Sequence, residues 1–285
     1  MIALLRNGTF VKLFFASFAS QLGTTIGNMA FAFYLLDRFS DQPGYASLAE
    51  MMYALPTPLV FFLIGVLADR FDRRRIAEHT GWIRAGLTVL LIAAPLLDLL
   101  PLVFALLFVR SAVAKFYAPA ESAPLQGILE EEQYVEASGL NQMIFGVFML
   151  FGVGLGAWTY SAVGILGAVM IDGVGFLISA LLVRMCRIER EVRSPNGPAR
   201  WKDLRLGGIL EDFRLGLQYV LRHRLLLSLV SGFILFGFLN GGFAVLPMFT
   251  MKYKLAPGSY EKFASLFAVF LGVGFLIGAP WPPGS

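Results

Sequence analysis

The chain has 285 residues, 57% of them hydrophobic and 15% charged, with a mean hydropathy of +0.71. Soluble domains run at about 45–50% apolar and about 25% charged. The balance excludes a disordered chain, a disulfide scaffold and most soluble enzymes, and leaves a polytopic membrane protein. The single cysteine, Cys186, forms no internal disulfide, and His79 and His223 give no metal-ligand spacing.

From the N-terminus, Arg6 and Lys12 precede an apolar run too long for a signal peptide and without a small-residue cleavage site. It reads as a retained first transmembrane helix. A crossing helix needs about 20 mostly apolar residues. Eight candidates follow, at 10–36, 47–68, 80–100, 102–120, 139–161, 164–183, 225–251 and 263–279. The runs are continuous rather than alternating, which predicts helices and not a barrel. A polar segment, 184–224, separates the first six from the last two and opens with the breaker cluster Ser194-Pro195-Asn196-Gly197-Pro198. Its second part sets Ile209, Leu210, Phe213, Leu217 and Val220 at helical spacing, an amphipathic helix for the membrane face. Three units result: 1–183, a six-helix bundle; 184–224, a cytoplasmic linker; and 225–285, the start of a second bundle.

Charge placement sets the orientation. With the N-terminus in the cytoplasm, inner segments and helix ends carry 17 of the 23 Lys and Arg residues, Arg84 among them. Outer ones carry four (Arg38, Lys252, Lys254 and Lys262), and Arg110 and Lys115 fall inside span four. This positive-inside asymmetry accounts for the sequence pI of 9.3 without a nucleic-acid partner.

Two short echoes suggest a duplication. Phe62-Leu63-Ile64-Gly65 recurs as Phe275-Leu276-Ile277-Gly278, and the Asn28 segment of span one is echoed at Asn240 in span seven, at offsets of 213 and 212. Six spans per repeat makes the second unit parallel to the first. After Gly278 the Pro-rich end, Ala279 to Ser285, replaces the charged loop that repeat logic expects. On this reading the chain is one and a third repeats of a two-repeat protein.

Gly65-Val66-Leu67-Ala68-Asp69-Arg70-Phe71-Asp72-Arg73-Arg74-Arg75, between spans two and three, resembles the signature loop of the major facilitator superfamily. Asp72 stands where that signature has a second glycine. Arg110 to Ala120 is similar to the span-four stretch of the macrolide-efflux and enterobactin-exporter branch, with Ala114 and Lys115 at positions usually held by small residues. Phe151-Gly152-Val153-Gly154-Leu155-Gly156 is similar to the family's antiporter motif, with Val153 in place of its proline, and Ile171 to Ala180 resembles the branch's span six.

The resemblance implies an all-α membrane protein: the six-helix N-terminal half of a major facilitator fold plus two helices of the second half. It implies a multi-pass protein of the bacterial cytoplasmic membrane, monomeric when full-length, exporting small amphipathic molecules in exchange for protons. A proton gradient and a small-molecule substrate are expected, with no cofactor, metal or nucleic acid. No Walker loop, Gly-x-Ser-x-Gly or His-rich cluster supports an enzyme or an ATP-driven pump. The alternative is a truncated half-transporter, inactive alone or pairing with another half.

Charges inside a bilayer cost roughly 2.5–3.5 kcal/mol at a helix centre, so each needs a reason. Arg110 and Asp172 are the deepest of opposite sign. Asp172 either carries the coupling proton, with Arg110 tuning it or meeting substrate, or both serve packing. Glu50 is the alternative proton carrier or an interfacial residue. Asn28, Asn240 and Gln21 either bond substrate or join helices; the resemblance makes spans one and seven cavity-lining. Gly152, Gly154 and Gly156 are expected to permit close packing, and Phe31, Met143 and Phe145 to face lipid or packing neighbours. In the signature loop Gly65, Asp69, Arg70, Arg73 and Arg74 are the expected gate. Glu121 is placed to meet Arg70 or Arg73 and latch the cytoplasmic side in the outward-facing state.

Overall fold

A computed structural model describes residues 4, 6–42, 44–60, 64, 71–96, 99–189, 214, 217–260, 262–267 and 269–270; at 95–96, 118, 121–124, 126, 131, 149–150, 233–234, 238 and 240–245 it describes the backbone only. The described residues form helices and no strand. Helix α1, Gly8–Arg38, starts where the Asn7 side chain accepts the backbone N–H groups of Thr9 and Phe10, each at 3.1 Å. That satisfies donors which the first helical turn leaves open.

Two expected spans are broken rather than straight, and two others meet in one reversing element. Span two gives α2, Gly44–Ala54, then a turn at Leu55 before helix resumes over 56–60. Pro56 has no N–H for the carbonyl one turn back. Span four gives α4, Leu100–Ala114, and α5, Tyr117–Ile128, with the break at 115–116. Pro119 then falls in the first turn of α5, where a missing N–H is harmless. Spans five and six form one element, α6, Glu131–Arg184, which reverses at Gly164 (φ 68°, ψ −176°). Side chains rarely adopt that positive φ, and glycine does so without steric cost. Between α2 and α4 lies α3, Arg73–Leu96, begun by Asp72, whose Oδ1 accepts the Arg75 N–H at 3.2 Å. The departure from the family signature at Asp72 is thus a helix cap.

Contacts along the helices show alternating directions. A Cβ on Gly152 would lie 2.5 Å from Thr25 and one on Gly156 2.2 Å from Met29, so the first arm of α6 runs parallel to α1. Gly175 meets Ala19, while Gly23 and Gly27 meet Asp172, so the second arm runs antiparallel to α1. It is also antiparallel to α3, since Gly81 meets Ala180 and Gly173 meets Thr88. Arg110 pairs with Asp172, and Ser179 bonds Tyr117 at 3.1 Å, so α4 and α5 run with the second arm. This up-and-down order is what successive membrane crossings require.

The core is layered. One apolar cluster, toward the Arg38 end of α1, gathers Phe33, Leu36, Ala49, Leu91, Val103, Leu107 and Val169; another, toward its Gly8 end, gathers Phe10, Leu13, Ala77, Leu125, Val183 and Cys186. Between them lie buried Ser20, Arg84, Thr88, Arg110, Asp172 and Ser179. Large apolar residues including Val89, Trp158, Met170 and Val174 point outward, as does Met143 with Phe145, whereas Phe31 is in the core.

The chain continues in α7, Arg224–Thr250, with Pro247 inside its last turn, followed by a π turn, Met251–Leu255. Pro247 interrupts the bonding ladder and a wider turn follows. Residues 260–270 are helical where described. Of the expected amphipathic helix, 217–222 is helical; Ile209, Leu210 and Phe213 lie outside the described residues, as does Phe275 to Gly278.

Candidate functional site

The buried polar layer joins four helices. Arg110 of α4 and Asp172 of the second α6 arm form an ion pair through Nη1 and Oδ2. Arg110 Nη2 also donates to Asn28 Oδ1 of α1 at 3.0 Å. Exposure is 5% for Arg110 and 0% for Asp172. Burying two charges is costly, and their attraction offsets the cost only when the geometry is good and the remaining donors are satisfied. Asn28 supplies one such partner. Asp172 can approach α1 because Gly27 has no side chain: a Cβ there would lie 2.8 Å from Asp172 Oδ2, and one on Gly23 would lie 3.0 Å from Asp172 Cα. Gly23-Thr24-Thr25-Ile26-Gly27 is a small-xxx-small face, which lets membrane helices come close.

A second arginine lies in the same layer. Arg84 of α3, 5% exposed, donates to Ser20 Oγ at 3.0 Å and Thr24 Oγ1 at 2.8 Å. Its guanidinium carbon lies 3.7 Å from the centroid of the Phe176 ring. Arg84, expected among the inner segments and helix ends, instead lies in this buried layer. Because α3 begins at Arg73, Arg84 is in mid-helix and takes its partners from α1. Three polar atoms of the layer are buried without a hydrogen bond: Arg84 Nε, Asp172 Oδ1 and Tyr53 Oη.

The other expected residues are distributed elsewhere. Gln21 bonds Ser17 of its own helix at 2.9 Å, apart from the ion pair. Glu50 is half-buried on α2, one turn before Tyr53. Gly154 faces Ser265 at ordinary contact distance, 3.8 Å, while Gly152 and Gly156 face α1. Gly65, Asp69 and Arg70 lie outside the described residues, as do the side chains of Glu121 and Asn240. Arg73 begins α3. Arg74 donates to the carbonyls of Val183 (3.3 Å) and Arg184, the C-terminal end of α6. Lys12 reaches the Met185 carbonyl at 3.4 Å, and Arg184 lies 3.9 Å from Glu78. Cations at a helix C-terminus oppose its partial negative charge. Among the described residues no group of three or more His, Cys, Asp or Glu is placed to hold a metal.

At the opposite end, α1 is clasped by residues more than 200 positions later. Lys252 donates to Asp37 Oδ1 at 2.9 Å and to the Leu36 carbonyl at 2.5 Å. Tyr260 donates to Asp37 Oδ1 at 2.6 Å, and Tyr253 to the Ser40 carbonyl at 2.7 Å. The Lys252 ammonium lies 4.5 Å from the centroid of the Tyr260 ring. Lys252, expected in an outer loop, has no local sequence signal for this partner.

The sequence pattern of the Major Facilitator Superfamily matches residues 13–284. The chain belongs to the Major Facilitator Superfamily. This is a family of transporters and not of enzymes, and it makes the chain a multi-pass membrane protein. Among the described residues the helical stretch Phe151–Arg184 is long and apolar enough for a crossing, at mean hydropathy 2.2, although the reversal at Gly164 divides its length between two arms. The polar stripe of α1 and the breaks at Leu55 and 115–116 reduce the apolar continuity of the others. The chain is 57% identical over 274 residues to the MFS-type transporter YkuC of Bacillus subtilis, covering 96% of this chain and 64% of that protein. It is 30% identical over 173 residues to macrolide efflux protein A of Streptococcus pyogenes, covering 60% and 42%. The MFS-type transporter YfiS of Bacillus subtilis is 28% identical over 209 residues, covering 73% and 48%. The chain thus spans less than two thirds of the length of these curated relatives.

Proposed function

We propose that the chain serves a secondary transporter of the bacterial cytoplasmic membrane, its N-terminus cytoplasmic, that exports small amphipathic molecules in exchange for protons. The observation that carries this reading is the buried Arg110–Asp172 pair with its third member, Asn28. Intramembrane ionisable residues commonly mark ion and substrate pathways. Similarity to macrolide efflux protein A supports the direction, outward, and the kind of cargo.

The chemistry follows from the atoms. Asp172 Oδ2 is held by Arg110, while Oδ1 has no hydrogen bond, so Oδ1 is the atom a proton would join. Protonation neutralises the carboxylate and leaves Arg110 facing a neutral acid, which weakens its hold across α1, α4 and α6. Loss of that proton restores the pair. A bond that exists in one protonation state links proton binding to helix arrangement, and alternating access between two halves converts that linkage into exchange. The outer clasp joins α1 to the segment after α7 and has to open for the outer side to admit or release molecules. The test is proton-driven efflux from membrane vesicles carrying the intact protein, with and without Asp172→Asn. The substitution is expected to abolish the pH dependence; efflux with unaltered pH dependence removes Asp172 from coupling.

A further inference from the structure

The ion pair satisfies its own charge, which leaves Arg84 as a surplus buried cation that the proposed proton step does not use. Its surroundings are specific. Ser20 and Thr24, one turn apart on α1, take two nitrogens of the fork. Its guanidinium carbon lies 3.7 Å from the centroid of Phe176, and that of Arg110 lies 5.9 Å from the same centroid. Phe176 is itself fully buried and stands one helical turn after Asp172, so the two share a face of the second α6 arm. Two guanidinium groups sharing one ring repel each other, and the negative face of the ring offsets part of that repulsion.

We infer that Arg84 and Phe176 are positioning residues for the Arg110–Asp172 pair. Arg84, fixed to α1 by Ser20 and Thr24, holds the Phe176 ring, and the ring seats the Arg110 guanidinium opposite Asp172. The inference deepens the coupling reading and rests on it for its transport consequence. Its geometric content stands apart: moving Arg84 or the ring has to move Arg110. Among the described residues the charged and titratable groups facing this cluster are Arg110 from α4, Lys115 from the α4–α5 break, Arg84 from α3, Asp172 from α6, Tyr53 and Glu50 from α2, and Tyr117 from α5; α1 presents uncharged groups there.

Two variants separate positioning from general packing. Phe176→Leu keeps the bonds of Arg84 and fills much of the volume. Arg84→Lys keeps the charge but loses the planar fork that reaches both hydroxyls. In the intact protein, 15N-labelled on arginine and assigned with Arg110→Lys, each variant is expected to displace the Arg110 side-chain resonance. In vesicles each is expected to lower proton-driven efflux at least tenfold while substrate exchange at equal pH persists. Phe176→Tyr, which keeps the ring face, is expected to restore both readouts toward wild type. An Arg110 resonance unmoved in both variants overturns the inference, whatever transport does. A moved resonance together with Asp172→Asn that leaves proton drive intact overturns only the coupling reading.

Discussion

The buried layer and the outer clasp are built from the same parts in different solvents. In each, a cation meets a carboxylate and lies near an aromatic ring: Arg110, Asp172 and Phe176 in the middle, Lys252, Asp37 and Tyr260 at the rim. The first pair is buried on both sides, whereas Asp37 is exposed. The inner pair lies within the first six spans, while the clasp crosses to residues beyond α7. Burial makes the middle set hard to break, and exposure makes the rim set easy to break and remake. The exchange proposed above needs the second property at the rim and the first in the layer proposed to take the proton.

The largest predicted effect is on the buried pair. Arg110→Ala leaves a buried carboxylate without its cation, and is expected to cost about 3–5 kcal/mol in unfolding measurements on detergent-solubilised protein. Replacing both residues by Leu is expected to cost less than Arg110→Ala alone. A loss under about 1 kcal/mol, the range of exposed pairs, would mean that burial does not distinguish the two sets. Next is the close approach of α1: Gly27→Ala inserts a Cβ 2.8 Å from Asp172 Oδ2 and should cost about 1–3 kcal/mol by overpacking. Gly146→Ala, with nothing within 4 Å of its Cβ, is the control and should not destabilise.

At the rim the expected stability change is small and the conformational one is not. Lys252→Gln should cost no more than about 1 kcal/mol, yet raise labelling of cysteines introduced near the Arg38 end of α1. High salt should mimic it in the wild type by screening the exposed pair, while leaving the Arg110 pair intact. Equal salt sensitivity in both would erase the contrast. The smallest effect concerns Cys186, whose thiol burial pushes up to about 11, against the opposing influence of Lys12 and Arg74. The nucleophilic thiolate is then scarce at pH 7–8, so maleimide labelling there should be slow and accelerate towards pH 11. Rapid labelling at pH 7 would show that this end of the bundle opens.

Much of this was legible in the sequence, for reasons that differ by residue. Hydropathy placed the helices, and depth alone singled out Arg110 and Asp172 as opposite charges. The breaks at Leu55 and Lys115–Phe116 were foreshadowed by Pro56 and Pro119, and the reversal by Gly164. The face Gly23–Gly27 was present as a small-xxx-small spacing and was overlooked among so many glycines. Arg84 was misplaced because the apolar run begins near residue 80, whereas the helix starts at Arg73. Partners such as Asn28 for Arg110, or Asp37 for Lys252, arise from packing between distant segments, which periodicity along one helix does not encode.

The central claim is that the proton binds at Asp172. Substrate added to the purified intact protein in weak buffer with a pH indicator should release protons, since the account makes the two compete through one set of helices. The release is predicted for wild type and for Glu50→Gln, and its loss for Asp172→Asn. Release that survives Asp172→Asn, or disappears with Glu50→Gln alone, would contradict the account.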